Sequence, residues 1–558
     1  MRAKKEVKEK SNWLRKIIII AIFIGVIAVV INLAPNYIRK EITGKINVII
    51  NNNNVTGSMK FDSYVDENEI VYISTKDIAN FFDEDIFYDN IYDQIITSSD
   101  TKLATLKIDE KEMYVNSSKV KIYGAATKKD GQFYLPFSEM KDVYNLEINY
   151  IKDSNIVTID SLNREQKKAN ASKDISVKYK PTIFSKTVDK VKKGDSVIVI
   201  EQLDNGWKKV RTSLGKIGYT KDVTNIYTVR EKMEIKKQIE GKVSLVWDYY
   251  SEYAKAPDRT GTTINGVNVV SPTFATVEKL GKGNLDINIG DAGKQYIEWA
   301  HANNYKVWPS VSNNSYKETT SEILNDYKLR EKLINNIVRL TIEYKLDGIN
   351  IDFENIYQND KEMFSRFIIE LAPRLKEYGK VLSVDVTAPD GSEDWSMCYN
   401  RHTIGRVADY IVFMAYDQYG DSSTSSGTTA GLDWVEVNIK KFLGQEGVTE
   451  DKLILGMPFY TRLWKEENGT ILRRPAIAMN DIDEVLPQNI NKTWNEDLKQ
   501  YYVEYNEGSV ICKMWIEDET SIKERLTLMK KYNLAGAAYW KKDFEDNSIW
   551  NIIAEELK

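Results

Sequence analysis

Three polar residues at alternate positions, Asn350, Asp352 and Glu354, form the part of this sequence best suited to carry out chemistry. Side chains alternate along a β-strand, so these three share one face and the apolar residues between them share the other. Burying several polar groups in a row is costly, and burial beside another carboxyl raises a carboxyl pKa. Glu354 is therefore predicted to be a general acid near neutral pH. Taken alone, the run also fits an acidic turn or a calcium-binding loop.

The amino-acid composition excludes several other kinds of catalytic and metal-binding site. The 558 residues include two histidines, His301 and His402, and two cysteines, Cys398 and Cys512. This argues against a Ser-His-Asp triad, a multi-histidine metal site and a cysteine-rich zinc site, so we predict no metal and no cofactor. The net charge of −5 argues against nucleic-acid binding. Whether the two cysteines form a disulfide is left open by the sequence.

The elements that would position these residues follow from hydrophobic periodicity. Over residues 238–558, apolar strands alternate with helical stretches such as 330–345 and 361–378, which predicts a (β/α)8 TIM barrel. Active sites of such barrels lie at the C-terminal ends of the strands. The gap at 461–533 predicts an insertion between strands seven and eight. The eight predicted strands are 243–247, 267–275, 305–312, 346–354, 381–388, 410–416, 453–460 and 534–540.

The motif of strand four resembles the D-G-x-D-x-D-x-E signature of glycoside hydrolase family 18, with Asn350 in place of the family's usual aspartate. The resemblance implies substrate-assisted retaining hydrolysis, in which the 2-acetamido group of the sugar is the nucleophile. Glu354 would be the acid and base, and Asp352 would hold the acetamido group. Asn350 is expected to hydrogen-bond Asp352 without sharing its charge, which would alter the pH profile.

Other predicted strand ends carry further motifs of the same family. Met414-Ala415-Tyr416-Asp417 matches M-x-Y-D on strand six, and residues 456–464 resemble G-x-P-x-Y-x-R-x-W on strand seven. The resemblance implies that Tyr416 donates to the acetamido oxygen and that Trp540, at the end of strand eight, forms the floor under the scissile sugar. The remaining predicted substrate-binding residues are Asn350, Met414, Asp417, Tyr460 and Arg462. Asp248, Asn313 and Asp385 also lie at or near strand ends.

Smaller modules are predicted before the barrel. Residues 41–160 contain a weak internal repeat, indicate an α+β module and resemble the copper amine oxidase N-terminal-like domain, although the region has no His or Cys. The polar run 161–172 is predicted to be a linker. Residues 173–228 alternate apolar and polar residues with glycine turns and resemble bacterial SH3-like domains, which predicts a small all-β barrel.

The N-terminus predicts a membrane location. Residues 1–16 are basic and residues 17–34 carry no charge. We therefore expect a cytoplasmic tail at 1–16 and a transmembrane anchor at 17–35, with the bulk of the chain extracytoplasmic. A cleaved signal peptide is the alternative.

Together these features predict a membrane-anchored hydrolase that cleaves β-1,4 bonds after N-acetylglucosamine in peptidoglycan. Residues 510–540 resemble the family branch of spore-forming bacteria that acts on spore-cortex or cell-wall muropeptides, which suggests the forespore or spore envelope as one location. The alternatives are a chitinase acting on chitin oligosaccharides and a non-catalytic wall-binding lectin or scaffold. The predicted partners are thus an N-acetylglucosamine polymer and the membrane, with protein partners unknown.

Overall fold

The computed structural model describes residues 45–233, 237–546 and 548–557. The chain folds into two compact units, with the main boundary at residues 235–236. The predicted tail at 1–16 and anchor at 17–35 lie outside the described residues. Within the described part of the chain, no helix combines the length and the apolar composition needed to cross a bilayer.

The first part of the N-terminal unit is built from two similar halves. In one half the strand Val71–Ser74 leads into the helix Thr75–Phe81, and in the other Gln132–Pro136 leads into the 3-10 helix Phe137–Met140. These two strands pair antiparallel, with Ile73 opposite Leu135. Each half continues into a hairpin, so the internal repeat of the sequence is also a structural repeat. The hairpin strands are Phe87–Asp89 with Gln94–Ser98, and Leu146–Ile151 with Ile156–Ser161.

A seven-stranded sheet follows, and it corrects the predicted linker at 161–172. Gln166–Ala171 is a strand between Ser196–Gln202 and Val223–Arg230. The sequence reads as polar because only Ala169 and Ala171 are buried in the core, while the polar side chains of the strand are half-buried. The remaining strands of the sheet are Ile175–Lys178, Thr187–Val191, Lys208–Arg211 and Ile217–Thr220.

The C-terminal unit contains a closed ring of eight parallel strands. Each strand pairs with the next, and the eighth pairs with the first through Val243 and Gly536. Strand three is interrupted before Pro309, which has no backbone N–H to donate. Barrel strands one to eight are Val243–Asp248, Val269–Pro272 (extended by Ala275–Val277), Lys306–Val307 with Ser310–Ser312, Gly348–Asp352, Val381–Val386, Tyr410–Met414, Leu453–Pro458 and Gly536–Trp540.

Helices cover the outside of the ring and bury one apolar face against it. Ile349 and Ile351 of strand four, for example, are fully buried in the main core with helix residues Phe364 and Phe367. Buried strands with helices packed outside them are what a (β/α)8 barrel requires. The helices are Gly290–Ala302, Lys317–Asn325, Tyr327–Glu343, Lys361–Lys376, Arg401–Val407, Leu432–Gly444, Glu519–Lys531 and Ile549–Glu556.

Between strands seven and eight the chain forms antiparallel strands with a core of their own. Val503, Met514 and Ile516 are buried there with Leu463. Tyr460–Arg462 pairs with Ala476–Ala478 at the point where the insertion leaves strand seven. The five strands of the main inserted sheet are Trp464–Glu467, Thr470–Arg473, Thr493–Asn495, Gln500–Glu507 and Val510–Ile516.

Candidate active site

A cavity of about 760 Å³ opens at the C-terminal ends of the barrel strands. Side chains from the ends of strands one, four, five, six and eight line it together with loop residues that follow strands five, six and seven. Most of the predicted site residues line this cavity: Asp352, Glu354, Met414, Tyr416, Asp417, Tyr460 and Trp540.

The backbone around Glu354 is fixed from two sides. The Asn313 side chain accepts a hydrogen bond from the Glu354 N–H (3.0 Å) and donates one to the Glu354 carbonyl oxygen (2.8 Å). The preceding carbonyl, that of Phe353, accepts from the Tyr399 hydroxyl (2.8 Å). The Phe353 ring stacks on Phe367 with centroids 5.5 Å apart. The acid is therefore held by a rigid segment just beyond strand four.

Burial and charge repulsion raise the pKa values of the neighbouring carboxyls of Asp352 and Glu354. Burial raises the pKa of Asp352 to about 6, against a hydrogen bond to Glu354 that lowers it. Burial and the neighbouring Asp352 raise the pKa of Glu354 to about 8, with a further contribution from Asp417. Near neutral pH Glu354 carries a proton and Asp352 is largely ionised, which is the arrangement required of a general acid beside a charge-stabilising carboxylate.

Asn350 lies beneath the cavity wall, fully buried, and does not line the cavity. Its amide donates to Asp385 Oδ1 (2.7 Å) and Ser383 Oγ (3.0 Å), and its oxygen accepts from the Trp247 indole (2.9 Å). The expected hydrogen bond to Asp352 is therefore wrong, because the neighbouring strands already satisfy the amide. This position supports the wall and offers no direct contact to a substrate in the cavity.

Strands six and seven are joined at the cavity rim by an acidic residue. Asp417 Oδ1 accepts from the Tyr460 hydroxyl (2.7 Å) and from Arg462 Nη2 (3.2 Å). Arg462 does not line the cavity, so its observed role is to hold Asp417 rather than to contact a substrate. Tyr416 lies in the same wall, and its ring is 6.3 Å from that of Tyr460. Burial raises the Tyr416 pKa well above its usual value, so its hydroxyl remains a donor.

Aromatic side chains form another side of the cavity. Trp540 packs edge-on against Trp247, with centroids 5.8 Å apart. An indole that lines a cavity in this way suits the C–H face of a sugar ring. Trp247, Trp395 and Trp434 also line the cavity and were not predicted from the sequence. Trp434 lies on the helix Leu432–Gly444 and Trp395 in the short helical segment Glu393–Met397, and in neither place does the sequence distinguish a cavity-lining tryptophan from a packing one. Trp247 has the pattern of an ordinary apolar strand residue.

Asp248, Asn313 and Asp385, the three further polar residues at or near the predicted strand ends, occupy different positions in the structure. Asp385 lines the cavity, and Asn313 holds the Glu354 backbone. Asp248 is instead occupied by a structural network, in which both its oxygens accept from Arg259 (2.8 and 3.0 Å) and one accepts from Tyr296 (2.9 Å). Within the described ranges no cluster of three or more His, Cys, Asp or Glu could hold a metal ion. Cys398 and Cys512 are both buried and free.

Two known protein families match parts of this chain. Glycosyl hydrolases family 18 matches residues 245–545, more than half of the chain, and the copper amine oxidase N-terminal domain matches residues 49–159. The second match confirms the resemblance seen in the module sequence. It carries no implication of copper, since those residues contain no His or Cys.

Relatives match the barrel region. A Bacillus subtilis protein designated uncharacterized glycosylase YvbX is 24% identical over 48% of this chain and 80% of its own length. The cortical fragment-lytic enzyme of Bacillus anthracis is 25% identical over 44% of this chain, and the match spans 58% of that enzyme.

A solved structure agrees with the fold. The chitinase from Chromobacterium violaceum superposes with a TM-score of 0.50 at 22% identity, covering 57% of this chain and 99% of that one. Its similarity supports the barrel architecture described above. With the family match and the strand-four carboxyls at the mouth of that barrel, the chain belongs to family 18 of the glycosyl hydrolases.

Proposed function

We propose that this chain is a membrane-anchored, extracytoplasmic hydrolase that cleaves β-1,4 bonds after N-acetylglucosamine in peptidoglycan. The observation that carries the proposal is the buried Glu354 carboxyl, with a pKa raised to about 8, beside Asp352 at the wall of an open cavity. A protonated acid at neutral pH next to an ionised carboxylate suits glycosidic bond cleavage.

The mechanism assigns one role to each wall residue. Glu354 protonates the leaving oxygen while the acetamido oxygen of the sugar attacks the anomeric carbon. Asp352 accepts from the acetamido N–H and stabilises the positive charge that develops on the resulting ring, and Tyr416 donates to the acetamido oxygen. Glu354, now ionised, then takes a proton from the water that opens the intermediate. The anomeric configuration is retained because displacement occurs twice.

The choice of polymer rests on relatives and on the neighbouring modules. The Bacillus anthracis relative is named as a cortical fragment-lytic enzyme, and cortical fragments point to peptidoglycan. An anchor at 17–35 and an SH3-like wall-binding domain at 173–228 would keep the barrel near such a substrate. Chitin oligosaccharides are the second candidate, since the C. violaceum protein with the same barrel fold is a chitinase.

The test compares the full-length chain with its Glu354→Gln variant on purified peptidoglycan and on chitin oligosaccharides, with products identified by mass spectrometry. Products ending in reducing N-acetylglucosamine are expected from the unaltered chain and none from the variant, because an amide keeps the shape of the carboxyl but its N–H groups are too weakly acidic to protonate the leaving oxygen. Glu298→Gln, on the exposed face of helix Gly290–Ala302, is the matched control and should keep full turnover.

Each outcome is informative. Products from chitin alone would select the second candidate. Turnover by Glu354→Gln equal to that of the unaltered chain would remove Glu354 from catalysis. Binding without any product, in both proteins, would favour a wall-binding lectin or scaffold.

A further inference from the structure

Two buried carboxyl oxygens in the cavity wall have no hydrogen-bond partner among the described residues. They are Asp352 Oδ1 on strand four and Asp385 Oδ2 on strand five. An unsatisfied buried acceptor is costly, and two ionised carboxylates side by side would add repulsion. One proton held between the two side chains removes both costs.

The hydrogen bonds around Asn350 fix where that proton can lie. An indole N–H can only donate, so the atom of Asn350 that faces Trp247 must be the amide oxygen. Its NH₂ group then faces strand five and donates to Asp385 Oδ1. Asp385 Oδ1 is therefore occupied as an acceptor, which leaves Oδ2 as the atom that can carry a proton.

We propose that Asp385 is a positioning residue that supplies from strand five the second carboxyl that strand four lacks at Asn350, and that Asp385 and Asp352 share one proton. The effect of this shared proton on catalysis rests on the function proposed above. The acid form of Asp385 donates through Oδ2 to Asp352, which holds Asp352 in place and limits the pair to one negative charge. Glu354 keeps its own proton for the leaving group.

The surroundings of Asp385 agree with a proton-bearing carboxyl. It is 1% exposed, and Asp352 and Glu354 face it from strand four, the Tyr416 hydroxyl from strand six and the Trp247 indole from strand one. Burial, followed by the nearby Asp352, raises the Asp385 pKa well above its usual value, against hydrogen bonds from Asn350 and the Trp247 indole that lower it. With Glu354 protonated and one proton in the pair, the three carboxyls would together hold two protons near neutral pH.

The first test counts protonated carboxyls in the full-length chain at pH 7 by infrared difference spectroscopy, without substrate. Replacing Asp385 by Asn should remove one carboxylic-acid C=O band. The exchange variant Asn350→Asp/Asp385→Asn should restore it, because the pair is then rebuilt on strand four. Asp286→Asn, an exposed aspartate on the strand Leu285–Ile287, should remove only carboxylate bands.

The second test measures kcat and KM of the same variants. Asp385→Ala should lower kcat roughly ten- to a hundredfold, the loss of one hydrogen bond to a charged group, with KM little changed. The exchange variant should recover most of kcat. Circular dichroism verifies that each variant is folded, and the exchange variant tests the inference even if Asp385→Ala does not fold.

Different results would contradict the shared proton, the positioning role of Asp385 and the proposed function. If Asp385→Asn removes a carboxylate band and no carboxylic-acid band, the shared proton does not exist. If Asp385→Ala folds and turns over as fast as the unaltered chain, Asp385 does not position Asp352. If the unaltered chain hydrolyses no N-acetylglucosamine polymer, the proposed function fails, while the infrared count still decides the shared proton.

Discussion

Two neighbouring carboxyls, one at the end of strand four and one just beyond it, acquire different proton affinities from their surroundings. Asp352 and Glu354 are two residues apart and face the same cavity, yet their pKa values rise to about 6 and about 8. Burial raises both pKa values, and the nearby charges of Asp352 and Asp417 raise the pKa of Glu354 further. The same pair therefore supplies a base form and an acid form at one pH.

This difference predicts a bell-shaped dependence of kcat/KM on pH. Activity should fall below about pH 6, where Asp352 becomes protonated, and above about pH 8, where Glu354 loses its proton. Initial rates on soluble oligosaccharides between pH 4 and pH 10 would measure it. A profile that stays flat beyond pH 9 would contradict the assignment of Glu354 as the acid.

The raised pKa of Glu354 should also make the stability of the fold depend on pH. The folded-state pKa of Glu354 lies above its ordinary value of 4.5, so the folded state loses stability as pH rises from about 4.5 to about 8. Glu354→Gln removes this loss and should raise the melting temperature more at pH 9 than at pH 5. Thermal unfolding at the two pH values measures it, and an equal change at both would contradict the buried titration.

Asn313 is predicted to affect catalysis without contacting the substrate. Its amide holds both the N–H and the carbonyl oxygen of Glu354. Asn313→Ala should lower kcat by roughly ten- to a hundredfold, because a small displacement of a catalytic group is enough to slow the reaction. The matched control is Asn325→Ala, which loses its bond to Asp360 at the end of helix Lys317–Asn325. Equal kcat in the two variants would show that the contact does not position Glu354.

At the scale of elements, a buried ion pair connects the insertion to the barrel. Glu517 follows the inserted strand Val510–Ile516 and is fully buried, where it accepts from Arg525 Nη1 (2.6 Å) and Nη2 (2.8 Å) of helix Glu519–Lys531. Gln500 of the inserted sheet donates to the same carboxylate (2.5 Å). Arg525 also donates to the Ala430 carbonyl in the loop after strand six.

Breaking this pair should destabilise the C-terminal unit strongly. Arg525→Met leaves Glu517 buried without its cation and should reduce the free energy of unfolding by about 3–5 kcal/mol. Lys530→Met, on the same helix but in an exposed pair with Glu556, should cost less than about 1 kcal/mol. Urea unfolding of both variants provides the comparison. Adding Glu517→Leu to Arg525→Met should recover part of the loss, and no recovery would argue against an uncompensated charge as its cause.

At the scale of the whole molecule, each unit has its own hydrophobic core. The barrel core includes Ile351 and Phe353, and the module core of the N-terminal unit includes Ile73 and Leu135. Within the N-terminal unit, the module and the seven-stranded sheet are joined by a buried ion pair between Asp160 and Arg211.

The proposed anchor gives the prediction for the whole chain. Full-length protein should stay with membranes after a high-salt wash, because residues 17–34 carry no charge and salt does not weaken apolar insertion. A chain lacking residues 1–35 is the control and should be released. Immunoblots of the membrane and soluble fractions would measure this. Recovery of a soluble form beginning near residue 35 would favour a cleaved signal peptide.

The sequence by itself determined the barrel and the strand-four carboxyls. Alternating apolar strands and helices reveal a (β/α)8 fold because burial imposes a period on each element. Likewise, alternation along a strand places Asp352 and Glu354 on one face whatever the rest of the chain does. The strand Gln166–Ala171 was missed because only its alanines are buried, and small residues give weak periodicity.

Only the tertiary structure decided which residues surround those carboxyls. Asp385, Asn313 and Trp247 come from different strands and loops, and their contacts to Asn350 and Glu354 depend on the register between strands. The same register turned Asn350 away from Asp352 and toward strand five. Hydrogen bonds and pKa shifts at this site arise between segments distant in the chain, and no local pattern in the sequence encodes them.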